Sequence, residues 1–540
     1  MLTLPLEPTD DRANPAFKDA ASCTQWLGQL QLTNLHAAHG VLRKQIEEFN
    51  RYPMRGLERL HTLELLRETV SSVQGDYAKK LIAKKLPLAT DELAVFFSIV
   101  SLWQGLATGY QRCLQAFTAG EPQLSAFGAL LCQRCLLYGG LQIYEYLCAG
   151  YEFDGTLWHR LHALYKFAEG RDLHLAKVDS NPGGGSGTTT CRAVYVKLLL
   201  ASYAHRADMT RGQLQMLDRW LSLWCEDITV ERSFTRSRGD APPLAVDLES
   251  SLGLQPLQHI GQSVDARYLA MVPLSKLLRV KVILLQQGQS PQQQELGEGW
   301  GKTECIAFLN FLLQRWCEGR SEHPTRSRAE QLRAEACYGM ESCYAHIASK
   351  PFRQPGKDFA VDTISRKQIE AFGRVLSDTD RHDLSEMGHT LESWSMLDDS
   401  MLGAQMLREA GSGARLGPNQ LTAVRAASAT IFVLGAVSWV TVAQTGQLRA
   451  GIRYFPGSPQ PVAMKATGVN LTVSDKHVAA LLLPAMDALK IPASLIAPRD
   501  WFKPGRVVEI VLPDKQKQNI RMDFSVEKGL DYERISFTQV

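Results

Sequence analysis

Apolar residues recur three and four positions apart over most of residues 15–349, which predicts a succession of amphipathic helices. In the stretch 56–85 the apolar face comprises Leu57, Leu60, Leu63, Leu65, Leu66 and Val70, and the polar face comprises Glu58, Arg59, Glu64, Arg67 and Glu68. Further helices are predicted over residues 91–118, 123–149, 156–169, 190–205, 211–227, 300–317 and 327–348. Their short connections favour antiparallel helical hairpins, and without a fixed-period repeat a tetratricopeptide array is only an analogy.

The pattern changes after residue 390, where β-branched and aromatic residues fall into short alternating runs. Strands are predicted over residues 391–397, 404–406, 421–425, 430–442 and 447–455. Glycine and proline turn residues separate these runs, as in Gly-Ser-Gly at 411–413 and Gly-Pro-Asn at 417–419. Regular spacing of such breaks is typical of a small antiparallel barrel.

The last 75 residues also read as strands, over residues 481–484, 493–498, 506–513 and 533–537. They form either an extension of the first barrel or a second barrel, which would cover strand edges that an incomplete barrel leaves exposed.

The predicted fold class is therefore multidomain α + β, because 540 residues exceed what one core usually organises. We expect an N-terminal all-α helical-hairpin domain over residues 1–350 and a linker over residues 351–388. An antiparallel β-barrel over residues 389–465 and a β-rich C-terminal module over residues 466–540 follow.

Composition narrows the class of protein. The chain is 45% hydrophobic and 21% charged, as in globular proteins, and its formal charge of +3 is too small for a surface that coats nucleic acid. All 11 cysteines lie between Cys23 and Cys343, and no basic region followed by an apolar stretch begins the chain. This combination predicts reduced thiols and a cytoplasmic location.

The most apolar window, residues 426–443, is rich in β-branched residues and favours a buried strand pair over stable membrane insertion.

The motifs that could carry catalysis fail their stricter tests. The glycine-rich loop at residues 181–190 has no Gly-Lys-Ser/Thr ending and no glycine at 188, so we interpret it as a connector with Thr188 or Thr189 capping the next helix. The pairs Cys132 with Cys135, His159 with His162, and Cys343 with His346 have no further ligands at metal-site spacing and are interpreted as core packing. No catalytic triad is evident, so we expect neither an enzyme nor a cofactor.

The most informative stretch is the turn at residues 398–403. Asp398, Ser400 and Gly403 form an Asp-x-Ser-x-x-Gly sequence between two predicted strands, a compact set of hydrogen-bonding groups suited to a polar ligand. An ordinary hairpin turn needs the same residue types, and this alternative stays open.

Together with the strands 433–439 and 451–455, this turn makes residues 390–465 resemble a PilZ domain, the small β-barrel of bacterial receptors for cyclic di-GMP. The resemblance implies a PilZ-like β-barrel in which Asp398, Ser400 and Gly403 contact the nucleotide. Residues 194–204, with Trp220 and Trp224, resemble a helical region that precedes such barrels. That likeness implies an interaction or dimerisation platform, although a packed helix pair explains the same residues.

The family's second motif, Arg-x-x-x-Arg just before the barrel, is missing from this sequence. The arginines in that window are Arg366, Arg374 and Arg381, and no two of them are four residues apart. They are the candidates for stacking on guanine and pairing with phosphate. Arg449 and Arg453 have the right spacing but lie inside a predicted strand, so we interpret them as solvated charges on the barrel surface.

The sequence thus predicts a non-catalytic bacterial second-messenger effector. It would bind cyclic di-GMP through the turn and the linker arginines and transmit binding to a protein partner through its helical domain. The alternative is a degenerate PilZ-like adaptor or scaffold that does not bind nucleotide, which the missing arginine motif favours. Self-association of the helical domain stays an open alternative.

Overall fold

The apolar spacing of residues 56–85 forms a long helix, α3 (Gly56–Ala78), in the computed structural model of the chain. Leu60 is buried, as predicted, whereas Leu65, which the pattern placed on the apolar face, is exposed. Arg59, predicted to be solvated, is buried, because its guanidinium donates to the main-chain oxygen of Phe49 at 2.8 Å. A buried arginine of this kind is tolerated where its N–H groups find acceptors.

The structure describes residues 2–180, 187–205, 209–234, 241–261, 263–318, 327–355, 384–385, 387–411, 413–467 and 476–540. The chain divides into two units, which are Met1–Lys84 with Leu88–Glu322, and Lys85–Pro87 with His323–Val540.

The first unit is built mainly of helices around one apolar core. Its helices are α1 (Ala20–Gln29), α2 (Leu35–Arg51), α3, α4 (Thr90–Thr118), α5 (Gly128–Ala149), α6 (Thr156–Gly170), α7 (Cys191–Ala204), α8 (Arg211–Trp224), α9 (Val272–Gln286) and α10 (Lys302–Leu313). Helix α4, the longest of them, packs against α2, α3 and α5. The predicted all-helical character holds for most of this unit.

Two small sheets interrupt the helices. Strands β1 (Val178–Asp179) and β2 (Thr188–Thr189) pair at the base of the glycine-rich loop. A four-stranded sheet, in the order β3-β6-β4-β5, contains β3 (Val230–Glu231), β4 (Leu244–Asp247), β5 (Gln255–Pro256) and β6 (Ala266–Leu269). These strands are two to four residues long, too short for an alternating pattern to reveal them.

The second unit contains two closed barrels of six antiparallel strands each. The first barrel has the strand order β10-β11-β12-β9-β8-β7. Its strands are β7 (Ser327–Tyr338), β8 (Glu392–Ser400), β9 (Gly403–Arg408), β10 (Leu421–Ala426), β11 (Val433–Val442) and β12 (Leu448–Tyr454). The second barrel has the order β13-β14-β15-β18-β17-β16. Its strands are β13 (Gln460–Ala466), β14 (Val478–Leu483), β15 (Ser494–Pro498), β16 (Val507–Val511), β17 (Lys517–Lys528) and β18 (Tyr532–Gln539).

The predicted sequence of a helical region, an antiparallel barrel and a β-rich C-terminal module is confirmed, with two differences in its parts. The helix predicted over residues 327–348 is wrong in its first half, because β7 closes the first barrel by pairing with β10 and β8. All of strand β13 except Ala466 lies within the range predicted for the first barrel, but the strand pairs with β14 and β16 in the second. Closure of a barrel needs a long-range partner strand, which local periodicity does not identify.

One apolar core joins the two barrels. Helix α11 (Met340–Ala348) follows β7 directly and contacts β10 of the first barrel and β14 of the second. The buried residues of this shared core come from α11, from the first barrel and from the second: Cys337, Met340, Cys343, Tyr344, Leu421, Ala423, Phe432, Leu434, Ala436, Phe455, Ala479, Leu481, Leu483, Ile496 and Tyr532. The two barrels therefore pack as one body within the second unit.

Two stretches of the first unit, Thr90–Thr118 and Pro122–Ala149, are long and apolar enough to cross a membrane. About half of the most apolar window of each, 50% and 56%, is buried inside the structure. Burial of this extent is typical of the core helices of a water-soluble domain, which pass the same length and hydropathy test.

We expect Ile496→Ala to lower the free energy of unfolding by about 2–5 kcal/mol, because it deletes fully buried methyl groups from the shared core. Urea-induced unfolding of the whole chain measures the change. Val526→Ala removes an exposed aliphatic group from the same barrel and should stay within about 0.5 kcal/mol of the parent protein. Equal effects of the two substitutions would contradict the shared core.

Candidate functional site

The turn singled out by the sequence joins β8 to β9 through a two-residue loop, Met401 and Leu402, whose side chains are 96% and 73% exposed. Ser400 pairs with Gly403 across the loop. The Ser400 hydroxyl donates to the main-chain oxygen of Gly403 at 2.9 Å and accepts from the N–H of Leu402 at 3.3 Å. These bonds stabilise the hairpin turn, so the serine has a structural role whatever the turn binds.

Gly403 is required by space rather than by backbone angle, because its φ is not positive. A Cβ on Gly435 of β11 would lie 2.5 Å from the main-chain oxygen of Arg453, and one on Gly403 would lie closer still to that of Ile452. The bare backbone at both positions allows β9, β12 and β11 to approach closely.

The strand register places Ser400 and Gly403 in one row with Arg453. Ser400 of β8 is opposite Gly403 of β9, Gly403 is opposite Arg453 of β12, and Arg453 is opposite Ala436 of β11. Side chains of directly opposite residues project from the same face of a sheet. The motif therefore shares its face of the barrel with an arginine, and the two residues beside that arginine in the row, Gly403 and Ala436, are small and buried.

A second row beside the first contains Asp398, Gln405, Gly451 and Trp439, again in register across β8, β9, β12 and β11. The partly exposed indole of Trp439 lies directly over Gly451, where a Cβ would overlap it. The outer face of the first barrel thus presents a carboxylate, a hydroxyl, an amide, an indole and a guanidinium within two adjacent rows.

Asp398 and Asp399 are consecutive residues of β8, opposite Gln405 and Ala404, and therefore point to opposite faces of the sheet. Asp399 is opposite Ala404 of the barrel interior and accepts a hydrogen bond from the hydroxyl of Tyr454 at 3.4 Å. Burial raises the pKa of the Asp399 carboxyl, and the negative charge of Asp398 adds to the effect. Asp398 is the carboxylate of the outer face.

Arg453 lies on the barrel surface, as its strand position predicted, but it has a partner there. Its side chain is 43% exposed, forms an ion pair with Glu527 of β17 in the second barrel, and lies 5.2 Å from the ring centre of Phe455. The sequence predicted the exposed position of Arg453 but not its partner, which the second barrel supplies. Arg449, four residues earlier, lies opposite Leu407 of β9 on the same face of β12.

Residues of the second barrel extend this cluster. Glu527 also accepts a hydrogen bond from the Tyr532 hydroxyl at 2.5 Å. The guanidinium of Arg534 lies 5.6 Å from the ring centre of Phe455, and its Nε donates to the Ser494 hydroxyl at 2.9 Å. Burial lowers the pKa of Arg534, Glu527 opposes that change, and the positive charge of Arg453 lowers it further. Two guanidinium groups thus converge on one aromatic ring.

The three linker arginines predicted to complete the site, Arg366, Arg374 and Arg381, lie outside the described residues. Their roles stay predictions. Asp398, Ser400 and Gly403 are brought together on one face, as the turn requires.

The cysteine and histidine residues considered as metal ligands in the sequence analysis lie in packed or hydrogen-bonded environments. Cys132 is buried in α5, and burial raises its pKa to about 12, so it is a thiol at neutral pH. Cys135 beside it is equally buried. His162 is held between the hydroxyl of Tyr195 at 2.6 Å and the main-chain oxygen of Leu252 at 2.8 Å. Within the described ranges, no group of three metal-ligating side chains occurs.

Residues 181–186 of the glycine-rich loop are outside the described part of the chain. The residue that caps the following helix α7 is Thr190, whose side chain accepts from the N–H of Ala193 at 3.0 Å, and neither Thr188 nor Thr189 does so. Those two residues form β2 instead.

Sequence reasoning missed Trp439, Arg534, Tyr532 and Glu527 as neighbours of the motif. For Trp439 a signal existed, because an aromatic residue and a glycine fall on neighbouring predicted strands. For the residues of the second barrel there was none, since no local pattern in β17 or β18 indicates contact with β12.

The fold and this face define a multidomain α + β protein in which a helical region precedes two closed antiparallel barrels. Both of its ends match domain families of one receptor. Residues 21–235 match the family model for the N-terminal domain of the cyclic-di-GMP receptor FimW, and residues 465–540 match the model for the FimW C-terminal β-barrel domain.

A curated relative, the cyclic-di-GMP receptor FimW of Pseudomonas aeruginosa, is 21% identical in an alignment that covers 95% of this chain and 90% of the receptor. Among solved structures, MrkH, titled a c-di-GMP-dependent transcription regulatory factor, matches at 8% identity with a TM-score of 0.13. That match covers 41% of this chain and 91% of MrkH, and a TM-score of this size carries no information on the fold.

We expect Gly403→Ala to destabilise the first barrel by about 1–3 kcal/mol or more, because the new methyl group would collide with the main chain of β12. Urea-induced unfolding measures the loss. Gly40→Ala in α2 is the control, since a Cβ there meets nothing within 4 Å. That substitution should stabilise the chain by up to about 1 kcal/mol, as alanine does inside helices. A Gly403→Ala protein of unchanged stability would contradict the close approach of β9 and β12.

Proposed function

We propose that the chain is a non-catalytic effector that binds cyclic di-GMP on the outer face of its first barrel. The observation that supports this proposal is the row formed by Ser400, Gly403 and Arg453, with Asp398 and Trp439 in the next row. The family matches at both ends of the chain to a cyclic-di-GMP receptor support the same ligand.

The chemistry of the ligand fits the groups on this face. Cyclic di-GMP carries two phosphodiester charges and two guanines. A guanidinium pairs with phosphate oxygens through charge-assisted hydrogen bonds, which Arg453 would supply. The indole of Trp439 offers a surface for stacking a base. The carboxylate of Asp398 would accept hydrogen bonds from N–H groups on the edge of guanine. Arg453, Trp439 and Asp398 would thus each bind the ligand without covalent chemistry.

Arg366, Arg374 and Arg381 would add positive charge from the linker over the same face. In this proposal the barrel is of the PilZ type, the protein acts in the cytoplasm, and binding is transmitted to a protein partner of the helical unit.

A second candidate function is an adaptor whose barrel binds protein and no nucleotide. Two contacts favour it: Arg453 already has a carboxylate partner, and the Ser400 hydroxyl is bonded within its own turn. A ligand would have to displace the first of these contacts and leave the second intact.

We expect the purified chain to bind cyclic di-GMP saturably in calorimetric titration with a Kd of micromolar order, about −8 kcal/mol. Arg453→Gln should weaken binding about tenfold or more, because the variant loses a charge-assisted hydrogen bond to the ligand. Ser400→Ala should weaken it less, since the hydroxyl acts mainly by holding the turn.

The matched control is Arg521→Gln, which removes the same charge from an arginine of β17 that is 53% exposed and paired only loosely with Asp523 at 3.5 Å. Its affinity should equal that of the parent protein. Absence of saturable heat with the parent protein at ligand concentrations of about 100 μM, far above a micromolar Kd, would overturn the proposal and favour the adaptor.

A further inference from the structure

We propose that the second barrel completes the nucleotide site, with Arg534 and Arg453 forming a phosphodiester subsite at the junction of the barrels that Glu527 occupies while no ligand is bound. The inference rests on the proposed function. It assigns two residues of the second barrel, Arg534 and Glu527, to the site that the first barrel presents.

Charge is the first reason. Around the buried ring of Phe455 lie two guanidinium groups, from Arg453 and Arg534, and one carboxylate, from Glu527. Among the described side chains the cluster therefore carries two positive charges and one negative charge, a net charge of +1. Half-buried like charges repel each other, as the effect of Arg453 on the pKa of Arg534 indicates. A phosphodiester that takes the place of Glu527 carries the same single negative charge, and its two non-bridging oxygens can pair with both guanidinium groups.

The contacts of Glu527 are the second reason. Its carboxylate is held by the Arg453 guanidinium and by the Tyr532 hydroxyl, so one charged and one neutral donor converge on an anionic oxygen. A non-bridging phosphate oxygen accepts from the same two kinds of donor. Glu527 thus stands in for the ligand, and the same donors are left for a phosphodiester once the carboxylate turns away.

Position is the third reason. Glu527 is only 23% exposed and lies one residue from the end of β17, where it is opposite Arg534 in the strand register. Arg453 is opposite Gly403 of the motif in the first barrel. The subsite therefore links the turn of the first barrel to the hairpin β17–β18 of the second, and displacement of Glu527 changes the contact between the two barrels.

The competition between Glu527 and ligand predicts a gain of affinity when the carboxylate loses its charge. Glu527→Gln keeps a side-chain oxygen for the Tyr532 hydroxyl but gives up the ion pair with Arg453. We expect it to bind cyclic di-GMP about fivefold more tightly than the parent chain, the factor equivalent to about 1 kcal/mol for a partly exposed ion pair. Tighter binding cannot result from misfolding, so the readout is specific.

Arg534→Gln tests the other half of the subsite and should weaken binding about tenfold. Asp523→Asn is the matched control, because it neutralises a carboxylate on the same strand that accepts from the Thr538 hydroxyl at 2.7 Å and has no contact with the cluster. Its affinity should match that of the parent protein, which separates local competition from net charge.

Titrations of the full-length chain and its variants with cyclic di-GMP distinguish the two proposals. If the parent binds and Glu527→Gln binds equally or more weakly, the subsite is refuted while the proposed function stands. If Asp523→Asn gains as much as Glu527→Gln, general charge explains the gain and the subsite is again refuted. Binding by Glu527→Gln alone supports the subsite in its strongest form, and absence of binding by every protein overturns both proposals.

Discussion

The apolar core between the two barrels is the feature on which the rest of the second unit depends. Helix α11 and the outer faces of β10 and β11 bury their side chains against β14 and β15. Burial of apolar area is the dominant favourable term in such packing, and it fixes the two barrels as one body. Phe455 and Tyr532 belong to this core, with ring centres 5.6 Å apart, and they hold the charged cluster at its edge. Without the core, Arg453 and Glu527 would be unrelated surface residues.

Glycine residues determine how closely neighbouring strands of the first barrel approach each other. Gly403, Gly435 and Gly451 each lie where a Cβ would strike a neighbouring strand or the indole of Trp439. The strands β9, β11 and β12 can therefore approach closely, and the indole of Trp439 can lie over Gly451 on the outer face. An indole and guanidinium groups on this face suit a planar base with an attached phosphate. The indole can stack on the base, and a guanidinium can pair with the phosphate.

Local pattern predicted the elements well and their partners poorly. The turn 398–403, the strands 421–425 and 433–442 and the helices around residues 57–149 follow from periodicity and turn chemistry, which act within a few residues. The local pattern predicts a helix where β7 forms, because the place of β7 in the barrel depends on pairing with β10, as in Thr422 opposite Tyr338, 84 residues apart in the chain. For the site, Asp398, Ser400 and Gly403 could be predicted from the turn. The partners of Arg453 could not, since Glu527 is 74 residues away and reaches it only through the packing of two barrels.

The central claim is that Arg453 is shared between Glu527 and the ligand, and a double-mutant cycle tests it most directly. The affinity for cyclic di-GMP would be measured for the parent chain, Glu527→Gln, Arg453→Gln and the double variant. The account predicts that Glu527→Gln tightens binding when Arg453 is present and has no effect when Arg453 is replaced. An equal gain in both backgrounds would show that Glu527 acts through general electrostatics, and it would contradict the claim.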